Sequence, residues 1–179
     1  RIPLYEELNP EDHYMFISAW GEKGVEPDWT SIQFPSIRVT VMQSDWSKSA
    51  LHAFIDNNGI GGHGHPDDNA LRITAYGEYL LIDPGMFSYD NTSLYRKYGI
   101  STRAHNTVEV DNKTQKFAND GTFIVDDADL PGWVDEWSTN SQFDVLSQTS
   151  ESYTDVNHRR TVTFLKSGFW IVSDLMEPK

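Results

Sequence analysis

The feature that most constrains the fold of this chain is a succession of about ten short runs rich in β-branched and aromatic residues. Runs of this length, with alternating or continuous apolar character, indicate β-strands. Turn residues separate them, for example Tyr76 with Gly77 and Pro84 with Gly85. Because no long stretch repeats at the 3.6-residue period of a helix, the pattern predicts an all-β fold. We expect antiparallel strands in stacked sheets, a β-sandwich.

The predicted elements follow one another with short connections. A single helical segment of one or two turns is predicted at residues 92–98. The predicted strands cover residues 14–20, 37–42, 50–56, 71–75, 79–83, 107–110, 122–125, 143–148, 160–165 and 169–174.

The length of 179 residues suits one domain that buries its own core. Residues 169–175 have the character of a core strand, and the sequence ends four residues later. The sequence also begins with Arg1 instead of Met. We therefore expect residues 1–179 to be a single β-sandwich domain, truncated at both ends, from a longer protein.

Charge and composition exclude several function classes. The sequence has 27 acidic and 14 basic residues, a formal net charge of −13, whereas generic binding to nucleic acid or to an anionic membrane needs a basic face. Without cysteine there is no disulfide, thiolate nucleophile or cysteine-ligated zinc. No apolar run approaches the roughly 20 residues of a membrane span. We expect neither a nucleic-acid partner nor a membrane partner.

The charge is unevenly distributed along the chain. Residues 119–136 contain acidic residues and no basic one, which indicates a solvated face; the spacing lacks the order of a calcium-binding EF-hand loop. Residues 91–108 contain Arg96, Lys97 and Arg103 and no acidic residue. A local basic subsite that binds an anionic ligand is therefore compatible with the negative charge of the whole chain.

A glycine-rich segment at residues 59–68 holds two closely spaced histidines. Because side chains alternate in extended backbone, His63 and His65 point to the same face. The absence of a side chain at Gly64 lets another group approach the backbone. Such a pair is either a metal half-site or a hydrogen-bonded pair in a loop.

Two later residues extend the metal interpretation. Asp83 ends an apolar run and precedes a Pro-Gly turn, where it either caps the turn or binds a metal ion. His105 lies at the start of the next predicted strand. Two imidazoles and one carboxylate with an open fourth position are typical of non-structural zinc sites. The remaining histidines, at positions 13, 52 and 158, are interpreted as structural.

Four segments in series resemble the C-terminal domain of heparinase II/III-type polysaccharide lyases. They are Gly-Gly-His-Gly-His-Pro-Asp at 61–67, Leu-Ile-Asp-Pro-Gly at 81–85, Tyr-Arg-Lys-Tyr at 95–98 and Ser-Thr-Arg-Ala-His-Asn-Thr at 101–107. The resemblance implies an antiparallel β-sandwich that follows an α/α toroid domain, with the active site in the cleft between them.

The resemblance also implies roles for individual residues. His65, Asp83 and His105 correspond to the ligands of a structural zinc ion, and His63 corresponds to a catalytic histidine that faces the substrate. One departure is Pro66, where the family more often has Ala; this stiffens the loop and leaves the ligands in place.

The implied activity is cleavage of a uronic-acid-containing polysaccharide, such as a heparan sulfate or heparin-like glycan or alginate, by β-elimination. The implied location is periplasmic or secreted, in a bacterium. Since the toroid supplies the catalytic tyrosine, we expect this domain to be inactive alone. Anionic polysaccharide and the toroid domain are the expected partners.

Residues between Asp83 and His105 are predicted to bind the substrate. We expect an aromatic contact with the sugar and positive charge opposite its carboxylate; the negative charge of the remaining chain favours lightly sulfated glycans. The candidates are Tyr95, Tyr98, Arg96 and Arg103.

Two other functions remain open from the residues alone. A cupin-like metal oxygenase also uses a His-x-His pair in a β-fold, but such sites usually carry a Glu shortly after the pair, and residues 66–71 contain none. A non-catalytic carbohydrate-binding sandwich would use exposed aromatic residues such as Trp133 and Trp137.

Overall fold

The computed structural model describes residues 13–19, 21–57, 65–86, 88–116 and 132–179, and most of these lie in or between two antiparallel sheets. In each sheet the strands are ordered as they occur along the chain. The first sheet contains β1 (Ile32–Phe34), β2 (Val39–Gln43), β3 (His52–Asp56), β4 (Ala70–Ala75) and β5 (Glu78–Leu81). The second contains β6 (Gly132–Thr139), β7 (Phe143–Ser150), β8 (Val156–Leu165) and β9 (Phe169–Pro178).

Short helices lie outside the sheets. Among the described residues they are α1 (His13–Ser18), α2 (Leu94–Gly99) and two 3-10 helices, Pro35–Ile37 and Thr102–Ala104. In the described part of the chain, no helix is long and apolar enough to cross a membrane.

The core lies between the two sheets. Alternate residues of β3 and of β8 are buried, as expected for strands with one face toward a core. Buried apolar side chains from both sheets form one cluster, so the predicted antiparallel β-sandwich is confirmed. The cluster comprises Met42, Ala53, Ile55, Leu71, Ile73, Leu146, Val162 and Phe164.

Most predicted elements are confirmed within a few residues. The exceptions are three predicted strands, each of which was inferred from a short apolar run. Residues 14–20 were predicted as a strand, and this is wrong because α1 occupies most of them; so short a run fits both periods. Residues 107–110 form only an isolated bridge between Val110 and Lys113. The predicted strand at 122–125 lies outside the described residues.

Strand β6 is absent from the sequence predictions because its residues look like a turn followed by an acidic loop. It begins at Gly132, which has a φ of +122°, and a Cβ there would clash with the carbonyl oxygen of Thr149 on β7. A register shift between Val134 and Glu136 interrupts the alternation that would reveal the strand.

A tight hairpin joins β4 and β5 and directs the chain toward the site described below. Tyr76 and Gly77 both have positive φ, 58° and 79°, as a two-residue type I′ turn requires. The hairpin makes β5 the edge of the first sheet, and Asp83 follows two residues after its end.

Candidate metal centre

Three segments that are far apart in the sequence meet beside the first sheet. His65 precedes β4, Asp83 follows β5, and His105 follows the second 3-10 helix. One ligand atom from each residue lies within 4.8 Å of the others, and the two imidazole rings are 5.0 Å apart between centroids. The structure thus brings together the three residues that the sequence predicts as ligands.

Asp83 is the link between the other members of the cluster. Its Oδ1 accepts a hydrogen bond from the backbone N–H of Gly85 at 2.9 Å, so it does cap the Pro-Gly turn. Its Oδ2 lies 2.8 Å from Nδ1 of His105 and accepts a hydrogen bond from Arg72 at 3.1 Å. The two interpretations of Asp83 are compatible, since the cap fixes the carboxylate that faces His105.

A hydrogen-bonded scaffold joins the segment of His65 to that of His105. The buried hydroxyl of Thr102 donates to the carbonyl oxygen of Pro66 at 2.6 Å and accepts from the backbone N–H of Gln115 at 2.8 Å. The Gln115 side chain in turn accepts from the N–H of Asp68 and donates to its carbonyl oxygen, at 2.7 and 3.1 Å. Pro66 serves this scaffold through its carbonyl group, which a proline retains.

Arg72 and Asp67 complete the surroundings of the cluster, and the sequence predictions missed both. The guanidinium of Arg72 lies over the ring of Phe54 at 5.1 Å and within 3.6 Å of the Asp67 carboxylate. Asp67 is also 3.6 Å from Nδ1 of His105. The only sequence signal for Arg72 is that it is the one charged residue of strand β4.

The electrostatics favour the protonation states that bind metal ions. Burial, together with the nearby His105, lowers the pKa of His65. Burial opposes ionisation of Asp83, but hydrogen bonds from His105 and Gly85 and the charge of Arg72 outweigh it and hold the pKa of Asp83 below its usual value. Burial and the charge of Asp56 raise the pKa of Asp67 to about 7. A neutral imidazole and an ionised carboxylate are the forms that ligate metals.

Two orphaned ring nitrogens test whether a metal ion fits. Nε2 of His65 and Nε2 of His105 are buried and have no hydrogen-bond partner among the residues that the structure describes. An unsatisfied buried polar atom costs about 1–3 kcal/mol, so a metal ligand role accounts for both. Zinc–nitrogen bonds are about 2.0–2.1 Å long, so ligand atoms on one tetrahedral ion lie roughly 3.3 Å apart. The ligand atoms of this cluster lie within 4.8 Å of one another, and they would close by up to about 1.5 Å around the ion. The residues fit zinc.

The predicted substrate-binding residues differ in their contacts. Tyr95 and Tyr98 project from α2, with 78% and 55% of their surface exposed. Arg103 pairs with Glu109, and the shortest contact is 2.6 Å. Arg96 is held against its own loop, since it donates to the Asn91 side chain and to a backbone carbonyl. His63 lies outside the described residues.

The aromatic pair of the carbohydrate-binding alternative does not form a shared platform. Trp133 is 42% exposed, and its indole N–H donates to Asp135. Trp137 is partly buried and packs against the core between the sheets. Most of the predicted acidic face, residues 119–136, lies outside the described part of the chain.

Comparison with known proteins gives one consistent relationship. The family described as "Heparinase II/III-like, C-terminal" matches residues 26–179. A heparin-sulfate lyase of Pedobacter heparinus is 25% identical over 163 residues, which cover 89% of this chain and 23% of the lyase. A heparin-sulfate lyase of Bacteroides stercoris is 21% identical over 177 residues, 96% of this chain and 25% of that protein.

A solved structure shows the same fold. The crystal structure of the heparan sulfate lyase HepC from Pedobacter heparinus superimposes with a TM-score of 0.83 at 22% identity, over 99% of this chain and 27% of that one. The chain therefore spans about a quarter of the length of the relatives that it matches.

Proposed function

This chain belongs to the heparinase II/III-like family, and we propose that it forms the C-terminal part of a polysaccharide lyase. The substrate is a uronic-acid-containing polysaccharide of the heparan sulfate, heparin or alginate type, cleaved by β-elimination. The observation that carries this proposal is the family match over residues 26–179, supported by two relatives that are named heparin-sulfate lyases.

The residue types near the cluster suit this reaction. β-Elimination removes the proton at C5 of the uronate and expels the sugar linked at C4, which requires neutralisation of the carboxylate and stabilisation of the enediolate that develops. A base takes the proton, and an acid protonates the leaving oxygen. We assign His63 as the catalytic histidine on this domain, because an imidazole titrates near neutral pH and can stabilise the carboxylate or share the proton transfer.

The neighbouring surface supplies binding groups for an anionic sugar. Tyr95 and Tyr98 are exposed enough for a sugar ring to lie against them. Arg103 is at the surface and exchanges part of its pairing with Glu109 for a carboxylate or sulfate of the substrate. Arg96 contributes positive charge while it holds the loop in front of α2.

His65, Asp83 and His105 would hold a structural zinc ion. When bound, zinc links the three segments by coordinate bonds and lends them rigidity. His65 is two residues from His63, so a fixed ring at position 65 sets the direction in which His63 points.

The partner of this surface is the α/α toroid domain of the same protein. It supplies the catalytic tyrosine and the groups that hold the uronate carboxylate. The protein functions in the periplasm or outside a bacterial cell, where such polysaccharides are found.

The test is an absorbance assay for the unsaturated uronate product. The full-length protein is incubated with heparan sulfate, heparin, alginate and other uronate glycans, and we expect product from at least one of them. A polysaccharide that binds without any cleavage across the panel would favour the carbohydrate-binding alternative and overturn the lyase. Elemental analysis of the same preparation tests the zinc.

A further inference from the structure

A cluster of ionic side chains lies on the second sheet. Arg160 on β8 is only 6% exposed and is paired in register with Asp174 on β9. Its Nε and Nη2 donate to the two carboxylate oxygens at 2.8 and 2.9 Å. This bidentate pair fixes the plane of the guanidinium group.

The remaining nitrogen of Arg160 crosses the sandwich to the first sheet. Nη1 donates to the carbonyl oxygen of Asn69 at 2.7 Å and to that of Asn106 at 2.6 Å. Asn69 ends the turn that connects His65 to β4, and Asn106 directly follows His105. One nitrogen therefore joins the two histidine-bearing segments of the metal centre.

A neighbouring histidine holds the first of these segments a second time. The Asn69 amide donates to the carbonyl oxygen of His158 at 2.9 Å and lies 3.3 Å from Nδ1 of its ring. Since the amide is a donor, Nδ1 accepts, and Nε2–H donates to Asp174 at 2.7 Å. These bonds hold Asn69 in the left-handed conformation, with a φ of 63°.

We propose that Arg160 is a positioning residue of the metal centre, acting through the carbonyl groups of Asn69 and Asn106. The inference rests on the proposed zinc site. The guanidinium holds the two carbonyl groups at a fixed separation, and this sets the approach of His65 to His105 before the metal binds. Partners outside the ligand shell commonly change metal affinity by about 10–100-fold when they are lost.

The test compares zinc binding by the full-length wild type and Arg160→Lys. Lysine keeps a positive charge beside Asp174, but one ammonium group cannot replace the planar fork that reaches the carboxylate and both carbonyl oxygens. We expect the dissociation constant for zinc to rise by about tenfold or more. The visible spectrum of the cobalt-substituted protein, which reports ligand geometry, should change as well.

Val162→Ala is the matched control. Val162 is the next inward-facing residue of β8, is fully buried, and touches the core instead of the ligand segments. It should lower the melting temperature while zinc affinity and the cobalt spectrum stay as in the wild type. A second variant, Asp174→Asn, keeps Arg160 but removes the carboxylate charge that fixes the plane of its guanidinium group. It keeps the test available if Arg160→Lys does not fold, and zinc affinity should fall severalfold.

Three results would overturn the inference. The first is zinc affinity in Arg160→Lys equal to that of the wild type. The second, where Arg160→Lys does not fold, is wild-type affinity in Asp174→Asn. The third is a loss of affinity in Val162→Ala as large as in the test variant. A wild-type protein without zinc would overturn the metal centre as well, whereas the lyase assay tests the proposed activity separately.

Discussion

Two clusters of charged side chains, one beside each sheet, use the same residue types but satisfy them differently. The cluster beside the first sheet, here the metal cluster, consists of His65, Asp67, Arg72, Asp83 and His105. The second-sheet cluster consists of His158, Arg160 and Asp174. In the second-sheet cluster both ring nitrogens of the histidine and both oxygens of the carboxylate have partners.

The metal cluster lacks this completeness. Both carboxylate oxygens of Asp83 have partners. In contrast, each of the two imidazoles in the metal cluster has one nitrogen without a partner in the described structure. A satisfied buried network stabilises a fold, whereas an unsatisfied one marks a place where a ligand completes the bonding. We therefore expect substitutions in the metal cluster to change metal binding. Substitutions in the second-sheet cluster should change stability, and Arg160 should also affect zinc affinity through its bonds to Asn69 and Asn106.

The largest effect is expected for Asp83→Ala. Loss of this carboxylate removes a proposed ligand and the group that orients His105, so zinc content should fall from about one ion per chain to nearly none. Elemental analysis of the purified full-length protein measures this, and lyase activity should fall with it. Asp90→Ala is the control, because Asp90 also caps a turn, through Thr92, and is exposed. A variant at position 83 that keeps its zinc and full activity would remove the distinction between the clusters.

The next effect is expected for Asp174→Asn. The substitution leaves the buried guanidinium of Arg160 without its counter-charge. Because the Asp174 side chain is 29% exposed, water screens part of the loss, and the free energy of unfolding should fall by about 2 kcal/mol, less than for a fully buried pair. Urea unfolding of the metal-free protein measures the loss. In the control Glu177→Gln, the exposed pair with Arg159 is broken, and the loss should be below about 1 kcal/mol. Equal losses in the two variants would contradict a structural role for the second-sheet cluster.

These two clusters also show how far the sequence predicts this molecule. The strands of the sandwich follow from local alternation, and the three proposed ligands follow from short motifs whose spacing is visible along the chain. The bonds from Arg160 to Asn69 and Asn106 connect residues 91 and 54 positions apart. Thr102 likewise reaches Pro66 across 36 positions. Such contacts depend on how the sheets pack, and no local pattern encodes them.

The second-sheet cluster should also make stability depend on pH. Burial opposes ionisation of Asp174, but hydrogen bonds from His158 and Arg160 outweigh it, so its pKa in the folded state lies below the unfolded value of about 3.9. The stability from this group is complete above that unfolded pKa and is lost as pH falls below it. We expect a loss on the order of 1 kcal/mol between pH 5 and acid conditions, after allowance for solvent screening.

The measurement is the free energy of unfolding of the metal-free protein as a function of pH, compared with Asp174→Asn. The variant lacks the titrating group, so its curve should fall less steeply below about pH 4. Parallel curves would show that other carboxylates cause the acid sensitivity, and would leave the second-sheet cluster without a role in it.

The smallest effect on the fold is expected for Arg103→Gln, which extends the comparison to an exposed ion pair. The guanidinium is 55% exposed, and Glu109 and Asn112 are its partners. Because water screens such a pair, its loss should leave the melting temperature within error of the wild type. The proposed substrate contact predicts instead a KM for anionic polysaccharide raised by a factor of about 2–5, with kcat little changed.

The control is Lys113→Gln. The ammonium group of Lys113 is also exposed and lies 4.0 Å from Asp111, and the KM of this variant should match that of the wild type. An equal rise in KM in both variants would show that Arg103 acts only through the overall surface charge and does not contact the substrate.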